Sequence, residues 1–216
     1  MQGSGFLAIW SDVEASRETD YLHWLTREHT SERVGVNGFL AVRVFRALNT
    51  DINRFFILYE LEGPEVLGGS DYLARLNSPS PWSQRIMPIL GNFVRGGGRV
   101  IASKGTGQGG LVAAVPFYDT HPTEGAGLVA SLSSLDRIAA VRLFETDEAK
   151  TSIQSREKSM RAQDRSFTGL LVIEGLDKAA IRSAVEQLVA AMPAVGVVSS
   201  VPLYAYFFSL DRRQLR

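Results

Sequence analysis

The chain has 216 residues, 45% hydrophobic and 21% charged, enough for a substantial core in one large unit or two of about 100 residues, and unlike the sparse hydrophobicity of disorder. Lys+Arg and Asp+Glu both number 23, so the positive excess that draws nucleic-acid phosphates is missing and DNA and RNA are not expected partners. Cysteine is absent, which removes disulfides, thiolate nucleophiles and thiolate metal sites, and agrees with a reducing cytoplasm.

The opening Met1-Gln2-Gly3-Ser4-Gly5-Phe6 lacks the basic stretch and apolar core of a signal peptide, and no run is long enough to span a bilayer, so a soluble, cytoplasmic protein without membrane partners is expected. Residues 5 to 10, Gly-Phe-Leu-Ala-Ile-Trp, predict a buried strand ended by Ser11-Asp12. Helical spacing follows from Ser16 to Gly35, with Glu18 and Asp20 near the start, where the helix dipole favours acids. Phe39 to Arg46 and Phe55 to Leu61 predict two strands, and the polar Asn49-Thr50-Asp51 between them predicts a hairpin. A second helix is predicted after Pro64, broken at Pro79 and Pro81, and Val100 to Ala102 supplies a fourth strand.

The same order recurs beyond the Gly-rich residues 105 to 110. Leu111 to Tyr118 predicts a strand, Gly127 to Leu135 a helix, and Ile138 to Phe144 a strand. Phe167 to Ile173, Asp177 to Met192 and Val201 to Phe208 complete the pattern as strand, helix and strand. The expectation is an α+β fold of two tandem ferredoxin-like β-α-β-β-α-β repeats, residues 1–104 and 111–216, joined by a Gly-rich linker at 105–110, although little identity survives between them. Each repeat has one bare sheet face, so the two should pack sheet to sheet.

Trp24-Leu25-Thr26-Arg27-Glu28-His29, Glu32-Arg33, Gly38-Phe39-Leu40, Arg43-Val44-Phe45-Arg46, Tyr59-Glu60-Leu61-Glu62 and Pro79-Ser80-Pro81-Trp82 together resemble the EthD-like branch of the dimeric α+β barrel superfamily. The resemblance covers roughly residues 5–102; Leu25 stands where relatives commonly carry an aromatic residue. Other branches hold cofactor-free isomerases of ring-cleavage lactones, quinone-forming monooxygenases and haem-binding enzymes. The resemblance thus implies a fold and a small-molecule pocket in the first half more than one reaction.

Read without the family, Leu22, Leu25, His29 and Val36 fall within an arc of about 60° at about 100° per residue, so His29 is central on the apolar face. Imidazole is suited to proton transfer near neutrality, which makes His29 the candidate general acid or base. The alternative is a core histidine bonded to a backbone carbonyl. Glu32 and Arg33, three and four residues on, can reach it: Glu32 to orient an imidazolium, Arg33 to bind a substrate carboxylate, or both as a solvated edge. Arg43, inside an apolar strand, needs either a ligand anion or a local carboxylate. Tyr59 is a candidate proton or hydrogen-bond donor, or an ordinary sheet tyrosine, and Trp10, Trp24 and Trp82 wall an aromatic pocket or serve as packing.

Other patterns carry less. Gly105, Gly107 and Gly110 fit G-x-G-x-x-G but lead into a strand, so the segment is read as a flexible linker. His23 and His29 are six residues apart and about 120° apart around the helix, which is wrong for one metal, so no metal is expected. Arg95-Gly96-Gly97-Gly98-Arg99 is read as a bend before a strand, and His121 as a surface loop. The functional expectation is a cofactor-independent enzyme, an isomerase or hydrolase of a small unsaturated or aromatic-derived carboxylate such as a ring-cleavage product. It is monomeric or homodimeric, with the second repeat mainly structural. The alternatives are a haem enzyme with His29 as axial ligand and a noncatalytic small-molecule-binding module.

Overall fold

The computed structural model describes residues 2–48, 51–118, 122–192 and 201–215; Asn49, Thr50 and His121 lie outside them. In the first half, strand β1 (Gly5–Val13) leads into helix α1, which runs through Glu18–Trp24, a π turn at Leu25–His29, and Thr30–Val34. Strands β2 (Phe39–Ala47) and β3 (Asn53–Leu61), short helices α2 (Ser70–Asn77) and α3 (Pro81–Ile86), and strand β4 (Gly91–Lys104) complete it. The second half runs β5 (Leu111–Phe117), α4 (Ala126–Ser133), β6 (Ile138–Thr146), α5 (Glu148–Thr151), α6 (Arg156–Ser159), β7 (Gly169–Gly175), α7 (Lys178–Ala191) and β8 (Leu203–Asp211).

The strands close into a barrel in the order β1-β3-β2-β8-β5-β7-β6-β4. Within each half this is the ferredoxin-like order, so the expected α+β fold holds. The sheets also join along their edges: β2 pairs with β8, and β4 with β6, all antiparallel. Among the described residues, closure leaves no edge strand for another chain to extend. Strand β4 makes the bridge because it is long; Gly91 to Arg99 pairs with β1, and Gly98 to Lys104 with β6.

Alternation along each strand sends one set of side chains into the barrel and the other out to the helices. Phe6, Ala8, Trp10, Phe56 and Leu58 point in and meet Phe144, Leu170 and Val172 from the other half. Leu7, Val44, Ile57 and Tyr59 point out and pack with Tyr21, Leu25 and Val34 of α1. Val115, Leu143 and Ile173 do the same beneath Leu132, Ile181 and Leu188 of α4 and α7. Each fully buried aliphatic or phenyl side chain contributes about 1.5–3 kcal/mol by leaving water.

The barrel interior also holds charge. Arg43 donates from Nη1 and Nη2 to Glu174 at 2.7 and 3.1 Å, and Arg142 donates to the same carboxylate. Glu60 Oε1 lies 4.0 Å from Arg43 Nε. The backbone N–H of Gly109 donates to Glu174 at 3.1 Å, and Arg142 donates to the Gly107 carbonyl at 3.2 Å. The Gly-rich connection expected to be a flexible tether is thus anchored to the charges inside the barrel.

Two other expectations change, and one long connection takes a path the sequence does not indicate. The Arg95–Arg99 stretch is strand, not bend: a Cβ at Gly96 would stand 2.4 Å from the Phe167 ring, and one at Gly98 would stand 2.1 Å from the Glu145 carbonyl oxygen, so neighbours press directly on bare backbone. Pro81 opens α3 rather than only ending a helix, because Ser80 accepts from the Ser83 N–H and proline suits the first helical turn. The β6–β7 connection, residues 147–168, does not stay on its own half. It crosses to the first, where the backbone of Arg165 bonds Phe93 and Arg95, and Thr151 bonds Gly97. No helix among the described residues is long and apolar enough to cross a membrane.

Candidate functional site

A cavity lies over the outward faces of β1 and β3, walled by α1 and α2 and closed by the crossing segment from the second half. Four expected site residues meet there: Trp24, His29, Arg33 and Tyr59. Six further lining residues, Ile153, Ser155, Glu157, Lys158, Arg161 and Asp164, come from the crossing segment. The second half is therefore more than a structural support; it roofs the pocket.

The π turn explains how His29 is presented. In an α-helix, residues five apart sit about 140° apart and their rings cannot stack. Here the Thr30 N–H reaches back to the Leu25 carbonyl, the wider i→i+5 closure, and the Trp24 and His29 rings stack with centroids 4.1 Å apart and planes inclined by 28°. Beyond the turn, Arg33 and Val34 follow His29 and Thr30 onto the buried face. Arg33, read as either a ligand group or a solvated edge, is only 3% exposed. Leu25 packs into the core, and neighbouring Trp24 supplies the aromatic wall.

Residues that carry the family resemblance brace this helix from outside. Ser80 donates to the Glu28 carboxylate, Trp24 Nε1–H donates to Ser83 at 3.0 Å, and Trp82 Nε1–H donates to Asp20 at 2.9 Å. Trp82 is thus a clamp between α3 and α1 and does not line the cavity. Trp10 lies inside the barrel against Phe56 and Phe167, and Arg43 is held there by Glu174. Neither wall nor anion site is made by these two, because strand alternation turns them to the opposite face from Tyr59. Glu32 is half-buried and outside the cavity lining; burial raises its pKa above the usual carboxylate range.

The cavity chemistry is set by burial. His29 is 5% exposed and its Nδ1 has no hydrogen-bond partner among the described residues. Burial, then the positive charges of Arg33 and Arg161, hold its pKa well below the ordinary imidazole value, so the ring is neutral at neutral pH. The Tyr59 hydroxyl is also buried and unpartnered, and burial pushes its pKa upward, fixing it as a neutral donor. An unpaired buried polar group costs about 1–3 kcal/mol, so both atoms are open to a partner within the cavity.

Arginines dominate the lining. Burial alone would weaken the Arg33 charge, but Glu157, with Tyr72 and Tyr59 beside it, offsets this and the pKa is raised; Arg33 and Glu157 form a buried ion pair. Arg161 forks onto Asp164 at 2.6 and 2.8 Å and lies 4.2 Å over the Phe93 ring. Arg95 donates to the Thr151 carbonyl at 3.0 Å and the Tyr72 hydroxyl at 3.2 Å. With Lys158, four cations face two carboxylates around this cavity. Arg95 was hidden in the sequence by its glycine neighbours.

Space is limited. About 40 Å³ is open to the centres of water-sized molecules, room for about three waters at 10–15 Å³ each. The His29 imidazole is buried and stacked on Trp24, so a haem iron could reach it only if the surrounding lining moved. Among the described residues, no group of three or more His, Cys, Asp or Glu side chains is placed to hold a metal ion.

Neither family models nor curated protein sequences match the chain. Solved structures do. An anthrone oxidase-like protein superposes over 100% of this chain and 96% of its own, with a TM-score of 0.64 and 10% identity. A putative monooxygenase from Fusobacterium nucleatum subsp. nucleatum matches over 98% and 96%, at 0.57 and 12%. A mutant chlorite dismutase from Candidatus Nitrospira defluvii matches over 96% and 93%, at 0.56 and 7%. At these identities the likeness is one of fold, that of an α+β barrel built from two ferredoxin-like halves.

Proposed function

We propose that the cavity is the active site of an enzyme that moves a proton on a small unsaturated or aromatic-derived carboxylate, with His29 as the base. The observation that carries this reading is a buried, neutral His29 with an unpartnered nitrogen, stacked on Trp24 in the same cavity as the unpartnered Tyr59 hydroxyl. A neutral imidazole can accept a proton from an acidic carbon. Arg33 and Arg95 then stabilise the anion that forms, and Tyr59 donates a hydrogen bond to its developing oxygen charge. Because burial and nearby arginines lower the His29 pKa, its protonated form is a ready acid. Returning the proton to a different carbon is isomerisation, the reading we favour over hydrolysis.

A second fate for the same anion is attack on dioxygen, favoured by the aromatic wall of Trp24, Tyr21 and Phe93 and by the names of two structural neighbours, an anthrone oxidase-like protein and a putative monooxygenase. Incubation with unsaturated and ring-cleavage-type carboxylates in D2O, followed by NMR and an oxygen electrode, tests both. Deuterium uptake that depends on His29 without oxygen consumption supports isomerisation, and matched oxygen consumption supports the second fate. Exchange undiminished in His29→Gln sinks the proposal.

A further inference from the structure

The cavity is too small for a ring-sized carboxylate as it stands, so part of its lining must yield, and the polar contacts identify which part. Arg161 forks onto Asp164 through Nε and Nη2 and turns Nη1 to the Met87 sulfur at 3.4 Å. Arg95 spends its two terminal nitrogens on Thr151 and Tyr72, and Lys158 donates to the Ser152 carbonyl at 3.2 Å. Arg33 differs, because its partner is a carboxylate brought from 124 residues away that makes one contact, Nη2 to Oε1 of Glu157.

The element carrying Glu157 is weakly held. Helix α6 has four residues, and Glu157 is the one that is buried. Ser155 caps the helix, and the Arg156 N–H donates to Asn77 at 3.1 Å. Within the helix the only buried side chain is thus a charge, and the apolar contact beside it is partly buried Met160, which rests on the first-half core. A buried ion pair of this kind adds little net stability, since desolvation of both groups offsets their attraction. A ligand carboxylate could take both guanidinium nitrogens in a fork, a stronger geometry than the single contact it would replace.

We propose that Arg33 is a carboxylate-binding subsite which Glu157 occupies from within the chain, so that a ligand carboxylate binds by displacing Glu157 and lifting α6. This deepens the functional reading above and rests on it for the ligand class. Arg33 takes the carboxylate, leaving His29 to the reacting carbon and Tyr59 to the developing oxygen charge. The second half thereby sets both access and charge selectivity for a site whose reactive groups belong to the first.

Calorimetric titration of the full chain with benzoate, and with benzamide as its neutral counterpart, tests the subsite. Removing the internal competitor in Glu157→Gln should tighten benzoate binding about tenfold or more and leave benzamide unchanged, because the fraction of protein with Arg33 free rises. Adding Arg33→Gln to that variant should abolish the gain. Benzoate, but not benzamide, should also speed trypsin cleavage after Arg156 and Lys158 in the unaltered protein, a readout that stands even if a variant does not fold. Equal benzoate affinity with and without Glu157, a gain that survives loss of Arg33, or cleavage that benzoate does not accelerate each overturns the proposal. These are binding measurements, so their failure leaves the His29 proton-exchange test untouched.

Discussion

Arg43 on β2 reaches across the barrel to grip Glu174 on β7 with both terminal nitrogens, at 2.7 and 3.1 Å, although 131 residues separate them in the chain. Arg142, from the other half, holds the same carboxylate, and both cations sit at or below 3% exposure. Neutralising Glu174 would strand the buried Arg142 guanidinium and leave Arg43 only Glu60, 4.0 Å away. Glu174→Gln is therefore expected to cost about 3–5 kcal/mol, the range for breaking a buried pair. Urea unfolding measures it. Arg43→Lys, which loses the fork, should lower stability while leaving affinity for benzoate unchanged, since Arg43 lies outside the cavity. A loss below 1 kcal/mol in Glu174→Gln, on the order of a surface pair, would mean that the network is hydrated.

Residues 1–104 expressed alone are expected to aggregate or self-associate. The fragment would lose the partners of β2 and β4, leaving two unpaired edges, and would bare Phe6, Trp10 and Phe56 on one face. Size-exclusion chromatography with light scattering checks this. A stable monomer would show that neither edge pairing nor interior packing is needed by the first half.

The element order was legible because helices and strands leave periods of 3.6 and 2 in a sequence. His29, Trp24 and Tyr59 were legible because they sit on such periodic elements. The roof of the cavity was not. Its helices α5 and α6 have four residues each, too short to show a period, and Glu157 is buried only because Arg33 awaits it from another part of the chain. The π turn likewise leaves no compositional mark. One signal was available: Ala41-Val42-Arg43-Val44-Phe45 repeats as Ala140-Val141-Arg142-Leu143-Phe144. An arginine recurring at one position of an inward-facing strand pattern points to a duplicated interior charge rather than to a ligand site.

The depressed pKa of His29 gives stability a definite pH dependence. Above about pH 6.5 both folded and unfolded chains hold this imidazole neutral and it contributes no slope. Below that value the unfolded chain binds a proton that the folded one does not, because burial, Arg33 and Arg161 oppose it. Stability should then fall with pH, by up to about 1.4 kcal/mol per unit, until the folded pKa is reached. Carboxylates titrate in the same acidic region, so the informative quantity is the difference between the unaltered protein and His29→Gln across pH 5 to 7, roughly the window of imidazole titration. Parallel stability curves would mean that His29 titrates like a free imidazole.

Turnover places the heaviest demand on His29. As the base, its loss in His29→Ala should lower kcat by about 10²–10⁴-fold on an active carboxylate while the protein stays folded. His29→Gln separates chemistry from packing, since glutamine keeps a flat, hydrogen-bonding side chain that can lie against Trp24 but cannot carry a proton near neutrality. A structural role would be largely rescued by glutamine and a catalytic one would not. The acid limb of kcat/KM in the unaltered protein should fall below the ordinary imidazole range, because the free enzyme must keep the ring neutral and its surroundings already favour that form. KM should change little in either variant, because the carboxylate is held by Arg33 rather than by the imidazole. If His29→Gln turns over at the unaltered rate, the imidazole is a packing partner of Trp24 and the base must be sought elsewhere in the cavity.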